Sequence, residues 1–162
     1  MSWIAIVLII SVSCVATEAF AWFIHRYVMH TWGWAWHKSH HEHHDHAFEV
    51  NDMFSLVFAA FAIAFLLLGQ IGPAWHWVFW VGIGVCVYGA FYVVVHEVLT
   101  HKRLPVAWQP KSGYLARLIE AHHLHHAAKT PDGGVSFGFL YAPPVAKLRA
   151  KLRARRTARA AE

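Results

Sequence analysis

Three long apolar segments alternate with polar ones along the chain. They run from Trp3 to Ile24, from Met53 to Gly69 and from Ala74 to Val95. About 20 apolar residues are enough for an α-helix to cross the roughly 30 Å hydrocarbon core of a bilayer. The second segment is short, so we expect it to stand nearly upright or to include flanking residues. The pattern predicts an all-α integral membrane protein with about three transmembrane helices.

The remaining segments read as a helical cap outside the membrane. Residues from Tyr114 to about Ala128 are expected to form a helix, and Thr130 to Pro144 a loop that closes the site or dips into the membrane interface. Val145 to the end is either a basic helical segment on the membrane surface or a partly disordered tail. With 162 residues, the chain has room for a single membrane-embedded domain, residues 1–162, in which 145–162 is a basic C-terminal tail.

Composition supports the membrane assignment. Hydrophobic residues make up 57% of the chain and the mean hydropathy is +0.37. Of the 14 Lys and Arg residues, seven lie between Lys147 and Arg159. Nucleic acid is excluded as a partner because the rest of the chain is too apolar, whereas a basic segment beside membrane spans is typical of attraction to anionic lipid. Cys14 and Cys86 both lie in apolar runs and are expected to be small core residues without a disulfide.

The basic residues also predict an orientation. Outside the tail they lie in the segments that two crossings place on one side of the membrane: Arg26, Lys38, Lys102, Arg103, Lys111, Arg117 and Lys129. Lys and Arg are enriched on the cytoplasmic side of membrane proteins, so this side and the C-terminus are predicted to be cytoplasmic and the N-terminus outside.

Ten of the 15 histidines repeat one spacing on that same side. The order is H-x4-H followed by H-x2-H-H, and it occurs twice. These ten candidate metal ligands are His25, His30, His37, His40, His41, His96, His101, His122, His125 and His126. Imidazole is the commonest metal ligand among side chains and suits iron, zinc, copper and nickel. Ten rings are enough for two ions with five nitrogens each.

The spacing constrains the helices that carry the rings. Residues at i, i+3 and i+4 share a helix face, so the H-x2-H-H clusters at His37 and at His122 are each expected to point at one spot. Five residues turn an α-helix by roughly 500°, which leaves the two members of an H-x4-H pair about 140° apart. For His25 and His30, or His96 and His101, to reach one site, the helix must end, widen or bend between them.

The other histidines are not expected to bind metal. His43, His44 and His46 lie among acidic residues and look solvated, His76 lies among interfacial tryptophans, and His123 should point away from its neighbours. Carboxylates often accept a hydrogen bond from a ligating imidazole, and by proximity the candidates are Glu18, Glu42, Glu97 and Glu120. Glu18 lies two turns before His25 on the same face; the alternative is a carboxyl that binds some other polar neighbour.

The chemistry suggested by this ligand set is oxidative. No thiolate is available for a structural zinc site of the common kind. A dinuclear iron centre at the membrane surface suits O2 chemistry on a substrate dissolved in the bilayer, because two irons share the electrons needed to cleave O2 and a dry site contains the oxidant. Zinc or nickel is also compatible with these ligands, and could occupy the site in purified protein.

At this point the sequence resembles the fatty acid hydroxylase superfamily of membrane di-iron proteins, and within it the bacterial carotenoid hydroxylases. The histidine order carries the superfamily resemblance; the stretches that narrow it are HRYVMHTWGWAWHKSHH, AFEVND, RLIEAHHLHHA and GVSFGFLYAPP. It covers about residues 3 to 148, and all ten histidines match the motif.

The resemblance implies a site and a reaction. The ten imidazoles hold two Fe ions, and one oxygen atom from O2 is inserted at C3 of a β-ionone ring with two electrons from a reduced ferredoxin-type donor. β-Carotene then becomes β-cryptoxanthin and zeaxanthin in the bacterial inner membrane, and ketocarotenoids are possible further substrates. Aromatic residues that either line the substrate slot or simply pack are Trp22, Phe23, Phe91, Phe137 and Phe139.

Two rival functions remain open. One is the same metal chemistry on another lipid, by a related di-iron hydroxylase, ketolase or desaturase. The other is a membrane metal-binding or transport protein, with the segment HHEHHDH, residues 40–46, as an intake loop. Transport predicts ligands along a path within the spans, whereas these spans carry histidine only near their ends.

Overall fold

The computed structural model describes residues 1–42 and 48–160. Within these residues the fold is all-helical, as predicted. The α-helices are α1 (Trp3–Ile24), α2 (Trp34–His41), α3 (Asp52–Leu68), α4 (His76–Tyr92), α5 (Gly113–His126) and α6 (Val145–Ala160), with short 3₁₀ turns at Pro73–Trp75 and Pro131–Gly133. The first begins where the Ser2 hydroxyl accepts a hydrogen bond from the Ala5 N–H.

Two of the helices widen into π-helix where histidine pairs occur. α1 continues as π-helix over His25–Met29, and α4 continues over Val93–Thr100. The His30 N–H donates to the His25 carbonyl at 3.1 Å, and the His101 N–H donates to the His96 carbonyl at 2.9 Å. An i→i+5 hydrogen bond brings residue i+5 back above residue i. The prediction that the helix must change between the members of each pair is therefore confirmed, and the change is widening.

Glycines let α4 pack closely between α1 and α3. A Cβ added at Gly84 would lie 2.7 Å from the Ile10 carbonyl of α1, and one at Gly82 would lie 3.0 Å from Leu66 of α3. A Cβ added at Gly89 would meet no atom within 4 Å. Gly82 and Gly84 therefore permit close helix packing, whereas Gly89 leaves room for a ligand.

Within residues 1–42 and 48–160, two helices are long and apolar enough to cross a membrane: Trp3–Met29 and Pro73–Thr100. Asp52–Leu68 is equally apolar but shorter, with 17 residues. The outer faces of all three expose large apolar side chains, including Leu8, Val12, Phe61, Leu67 and Val94. Such a surface is unfavourable in water and favourable in lipid.

The C-terminal segment is part of the fold. α6 packs against α5, and Leu148 is 2% exposed in a core with Val95, Leu118 and Ala121. The helical alternative for this segment is therefore correct as far as Ala160. Both cysteines are free, as predicted, but the assignment of both to the core is wrong for Cys86, which is exposed at a cavity wall.

Candidate metal centre

The ten predicted histidines come together in two adjacent groups. Nitrogens of His25, His30, His37 and His125 lie within 4.8 Å of one another, and so do those of His40, His101, His122 and His126. His41 adjoins the former, with its Nε2 3.2 Å from that of His37. His96 adjoins the latter, with its Nε2 2.9 Å from that of His40. We call the five rings around His37 the first histidine group and the five around His40 the second histidine group.

Each H-x2-H-H cluster divides between the groups. On α2, the i, i+4 pair His37 and His41 joins the first group while His40 joins the second. On α5, His122 and His126 join the second group while His125 joins the first. The expectation that each cluster points at one spot is therefore wrong. Residues at i+3 and i+4 differ by about 100° in direction, enough for one helix to serve two centres.

In the first group, every ring whose outer nitrogen has a partner donates to a neutral oxygen. Nδ1 of His25 is 2.9 Å from the Phe137 carbonyl and Nδ1 of His41 is 2.9 Å from the Ala128 carbonyl. Nδ1 of His30 meets the Pro131 carbonyl at 2.7 Å, and Nδ1 of His37 meets the Asn51 Oδ1 at 2.7 Å. These partners place the proton on Nδ1 and leave Nε2 with a lone pair directed inward.

In the second group, carboxylates take this role. Nδ1 of His40 lies 2.9 Å from Glu49, and Nδ1 of His96 lies 2.6 Å from Glu97. Arg103 joins the two carboxylates: its Nε is 2.8 Å from Glu97, its Nη2 contacts Glu49, and its Nη1 is 3.0 Å from Asp52. Three carboxylates and one guanidinium leave the second group with a net negative surrounding.

The inward nitrogens require a cation. Nε2 atoms face each other at 3.1 Å between His25 and His37 and at 2.9 Å between His40 and His96, although all four rings carry their proton on Nδ1. Two lone pairs at this distance repel unless a positive ion lies between them. Nitrogens bonded to one ion at about 2.1 Å and at right angles lie about 3.0 Å apart, which matches these separations.

A proton does not meet this requirement. Burial lowers the pKa of His37 to about 2, against a smaller opposing effect of its hydrogen bond to Asn51. Burial and then the charge of His96 lower the pKa of His101 to about 3. Burial also lowers the pKa of His41 to about 4, and it lowers the pKa of His122 and of His125 well below the usual range. These five rings are therefore neutral near pH 7, the form that binds metal ions.

Among the residues that the structure describes, one of the four predicted carboxylate partners touches a histidine. Glu97 does; Glu42 pairs with Lys38 at 3.3 Å and Glu120 with Arg149 at 2.5 Å. The suggested bond between Glu18 and His25 is wrong, and its alternative, another polar neighbour, is correct. Glu18 accepts hydrogen bonds from the backbone N–H groups of Phe139, Leu140 and Tyr141 and from the Tyr88 hydroxyl.

Sequence reasoning missed Glu49, Asn51 and Arg103. The first two lie in AFEVND, a stretch used above only for the resemblance. The sequence-based prediction used Arg103 only as one of the basic residues that indicate the cytoplasmic side. Of the histidines set aside, His76 and His123 are exposed, as expected for surface residues. His43, His44 and His46 lie outside the described residues.

The aromatic candidates divide between the site and the surface. Phe139 lies 5.0 Å from the His96 ring and parallel to the His25 ring, and Phe137 contacts His25 and His125. Trp22, Phe23 and Phe91 are exposed on the outer surface. Thus, of these five candidates, the two in the loop after α5 contact the rings, as expected of a loop that closes the site, and Tyr92 of α4 adds a stacked ring 4.6 Å from His96.

An apolar cavity of 660 Å³ leads to both groups from between α1, α3 and α4. His25, His37, His40 and His96 form part of its wall, together with Phe139. Along α3 its wall extends from Asp52 to Leu66, which is about 21 Å at 1.5 Å per residue. Apolar side chains line most of it: Phe54, Phe58, Ala62, Ile63, Leu66 and Val85. An elongated hydrocarbon fits this shape and polarity.

Comparison with known proteins agrees with this site. The family model for fatty acid hydroxylase matches residues 10–142. The chain is 49% identical to the β-carotene hydroxylase of Pantoea ananas over 99% of its own length and 90% of that protein's. It is 50% identical to the β-carotene hydroxylase of Pseudescherichia vulneris, covering 91% of this chain and 83% of that one, and 47% identical to that of a Paracoccus species, covering 90% of each. No solved structure matches. The family match over most of the chain and these three identities show that the protein belongs to the fatty acid hydroxylase family.

Proposed function

We propose that this protein hydroxylates the β-ionone rings of β-carotene at C3, giving β-cryptoxanthin and then zeaxanthin. The observation that carries the proposal is the pair of five-imidazole groups, with unprotonated nitrogens facing each other, at the end of an apolar cavity. The three relatives named above, each called a β-carotene hydroxylase, support the substrate. The second ring of β-carotene is treated in the same way after the molecule turns end for end.

The ten histidines are the ligands in this proposal. The first group would hold one iron through His25, His30, His37, His41 and His125, and the second group would hold another through His40, His96, His101, His122 and His126. Bound iron supplies the activation of O2 that C–H hydroxylation requires. The buried Nε2 of His126 has no hydrogen-bond partner among the described residues, as expected of a nitrogen that binds an ion.

The protein's own residues position the rings and the substrate. Carbonyls behind His25, His30 and His41, the Asn51 amide oxygen behind His37, and carboxylates behind His40 and His96 fix the tautomers of these rings and direct their Nε2 atoms inward. One end of the carotenoid lies against Phe139 and the histidine wall, while its polyene follows α3 toward Leu66. The cover formed by the loop after α5 keeps water from the rings, since Phe137 is buried against His25 and His125. Orientation of C3 toward the two groups is thus set by shape.

The proposal includes a cellular setting. α1, α3 and α4 cross the bacterial inner membrane, and both histidine groups lie at its cytoplasmic surface. The cytoplasmic side is supported by the basic residues of the polar segments, and the lipid by the apolar outer faces of the three helices. A ferredoxin-type donor supplies the two electrons that the insertion of one oxygen atom from O2 requires.

Expression in a bacterial strain that accumulates β-carotene tests the function. We expect β-cryptoxanthin and zeaxanthin in the extracted pigments, and unchanged β-carotene in cells that make the His37→Ala variant. Ring ketones, desaturated products or unchanged pigment with the wild-type protein would refute C3 hydroxylation. A parallel strain that makes ketolated rings shows whether ketocarotenoids are accepted.

A further inference from the structure

One flank of α6 carries three cations in a row. Lys147, Lys151 and Arg155 follow at intervals of four residues and are all exposed. Arg26, at the end of α1, acts on the same flank: the pKa of Lys151 is lowered by partial burial and then by repulsion from Arg155, Arg26 and Lys147. Among the described acidic residues none forms a salt bridge with these four cations. We call Arg26, Lys147, Lys151 and Arg155 the basic stripe.

The basic stripe is fixed in place. Leu148 and Leu152 on the adjoining flank pack into the core beside Leu118 and Ala121, so α6 is anchored. Like charges four residues apart on a helix repel each other and destabilise it. An anchored helix that keeps this repulsion gains from an anionic partner. Its apolar flank is already used inside the protein and is not free to enter a bilayer.

The stripe also borders the loop that covers the first histidine group. The Arg155 guanidinium donates to the Gly134 carbonyl at 2.9 Å, and a Cβ at Gly134 would lie only 2.9 Å from Cε1 of His125. The Arg26 guanidinium lies 5.6 Å from the centre of the Phe137 ring, and the Phe137 carbonyl accepts from His25. One residue therefore separates each of these cations from a histidine of the group.

We infer that the basic stripe is the docking surface for an acidic electron-transfer protein. This inference rests on the proposed function, which consumes electrons: R–H, O2, two electrons and two protons give R–OH and H2O. The C–H bond and the O–O bond break, the C–O bond forms, and the second oxygen atom leaves as water. A one-electron carrier that docks twice supplies the electrons through Gly134 to His125.

Charge complementarity favours a protein over the membrane as the occupant. An anionic lipid headgroup would be attracted to the same cations, but lipid binding by a helix also uses its apolar face, which here is buried around Leu148. A protein with an acidic surface needs only the charges and the short path inward. Steering of this kind raises association rates and weakens as salt is added.

The test compares two electron sources for one enzyme. Wild-type protein and variants are reconstituted in nanodiscs of neutral lipid and supplied either with an acidic [2Fe–2S] ferredoxin and its reductase or with dithionite. For Lys147→Glu/Lys151→Glu we expect the KM for ferredoxin to rise at least tenfold, while turnover with dithionite stays within twofold of wild type. The matched control is Arg153→Glu/Arg156→Glu, two exposed cations away from the stripe on the same helix, for which the ferredoxin KM should change less than threefold.

Each other result overturns the inference. Equal changes in the ferredoxin KM of both double variants would indicate a general charge effect. An equal loss of turnover with dithionite would show that the two lysines stabilise the fold. The milder Lys147→Gln/Lys151→Gln variant, tested in the same way, guards against misfolding. If the ferredoxin KM is unchanged but anionic lipid in the nanodiscs no longer alters turnover of the variant, the stripe binds the membrane surface instead. If the wild-type protein forms no hydroxylated product with either ferredoxin or dithionite, the proposed function itself is contradicted.

Discussion

The two histidine groups contain the same number of imidazoles but differ in what stands behind them. In the first group the outer nitrogens of His25, His30, His37 and His41 meet peptide carbonyls and the Asn51 amide, all of them neutral. In the second group those of His40 and His96 meet Glu49 and Glu97, which Arg103 ties together. Negative charge near a metal ion favours its binding and its more oxidised state. We therefore expect the second group to bind its ion more tightly and to be the harder of the two to reduce.

The difference follows from where each group takes its support. The carbonyls of Ala128, Pro131 and Phe137 all belong to the loop after α5, where the backbone has no helical partners and can offer its oxygens to rings. The carboxylates lie at the start of α3 and in the π-helix after α4. The loop after α5 thus supports the first histidine group and the charged network supports the second. The basic stripe adjoins the loop after α5.

The ligand sets themselves are related by a crossed repeat. Each occurrence of the histidine spacing gives four rings to one group and a single ring to the other: His40 crosses to the second group and His125 to the first. Each group therefore depends on both halves of the chain. This crossing ties α2 to α5 more firmly than two separate centres would.

Removing a crossing ligand is the largest perturbation. We expect His40→Ala and His125→Ala each to lower turnover at least 10³-fold, because one ion loses a ligand and the facing nitrogens lose their bridge. Pigment analysis and iron content per protein provide the measurement. Alanine at His37, His41, His122 or His126 should have the same consequence. His123→Ala, an exposed neighbour on α5, is the matched control and should keep full activity; full activity of the His40 or His125 variant would remove that residue from the site.

Exchanging the charges behind the rings tests the comparison directly. Glu49→Gln should weaken metal binding at the second group by about 10–100-fold, the usual effect of losing such a partner. Asn51→Asp places a carboxylate behind His37 and should strengthen the first group instead. Chelator competition that follows the release of each ion measures both. If the two variants shift affinity in the same direction, the charge difference between the groups does not control binding.

Much of this arrangement was predictable from the order of residues. The apolar runs gave the helices, and the H-x4-H spacing required a change of helix at His25 and at His96, where π-helix occurs. The division of each cluster between two centres was not predictable, because the spacing gives the direction of each ring on its helix but not the position of the rings that face it from other helices. The supports behind the rings escaped for a similar reason: a carbonyl of Phe137 carries no signal in its side chain, and it lies 112 residues from His25.

Arg103→Lys should affect the second group alone and by less. An ammonium keeps the charge but cannot contact Glu49, Asp52 and Glu97 with three nitrogens held in one plane. We expect about a tenfold slower turnover and weaker retention of the second ion, with the first ion unchanged. Lys129→Arg is the control at the first histidine group, because the Lys129 ammonium donates to the His41 carbonyl at 2.5 Å. Equal release of both ions from the Arg103 variant would show that the network supports the whole centre.

The smallest expected effect tests the loop that supports the first group. Glu18 holds the N–H groups of Phe139, Leu140 and Tyr141, and thereby the adjoining Phe137 carbonyl against His25. Hydrogen bonds to a charged acceptor exceed those to a neutral one by about 1 kcal/mol, so Glu18→Gln should slow turnover about three- to tenfold. Glu42→Gln, which alters only an exposed pair with Lys38, should leave turnover unchanged. Because Glu18 does not touch the second group, iron retention there should stay at the wild-type level; loss from that group first would reverse the assignment of this loop to the neutral side.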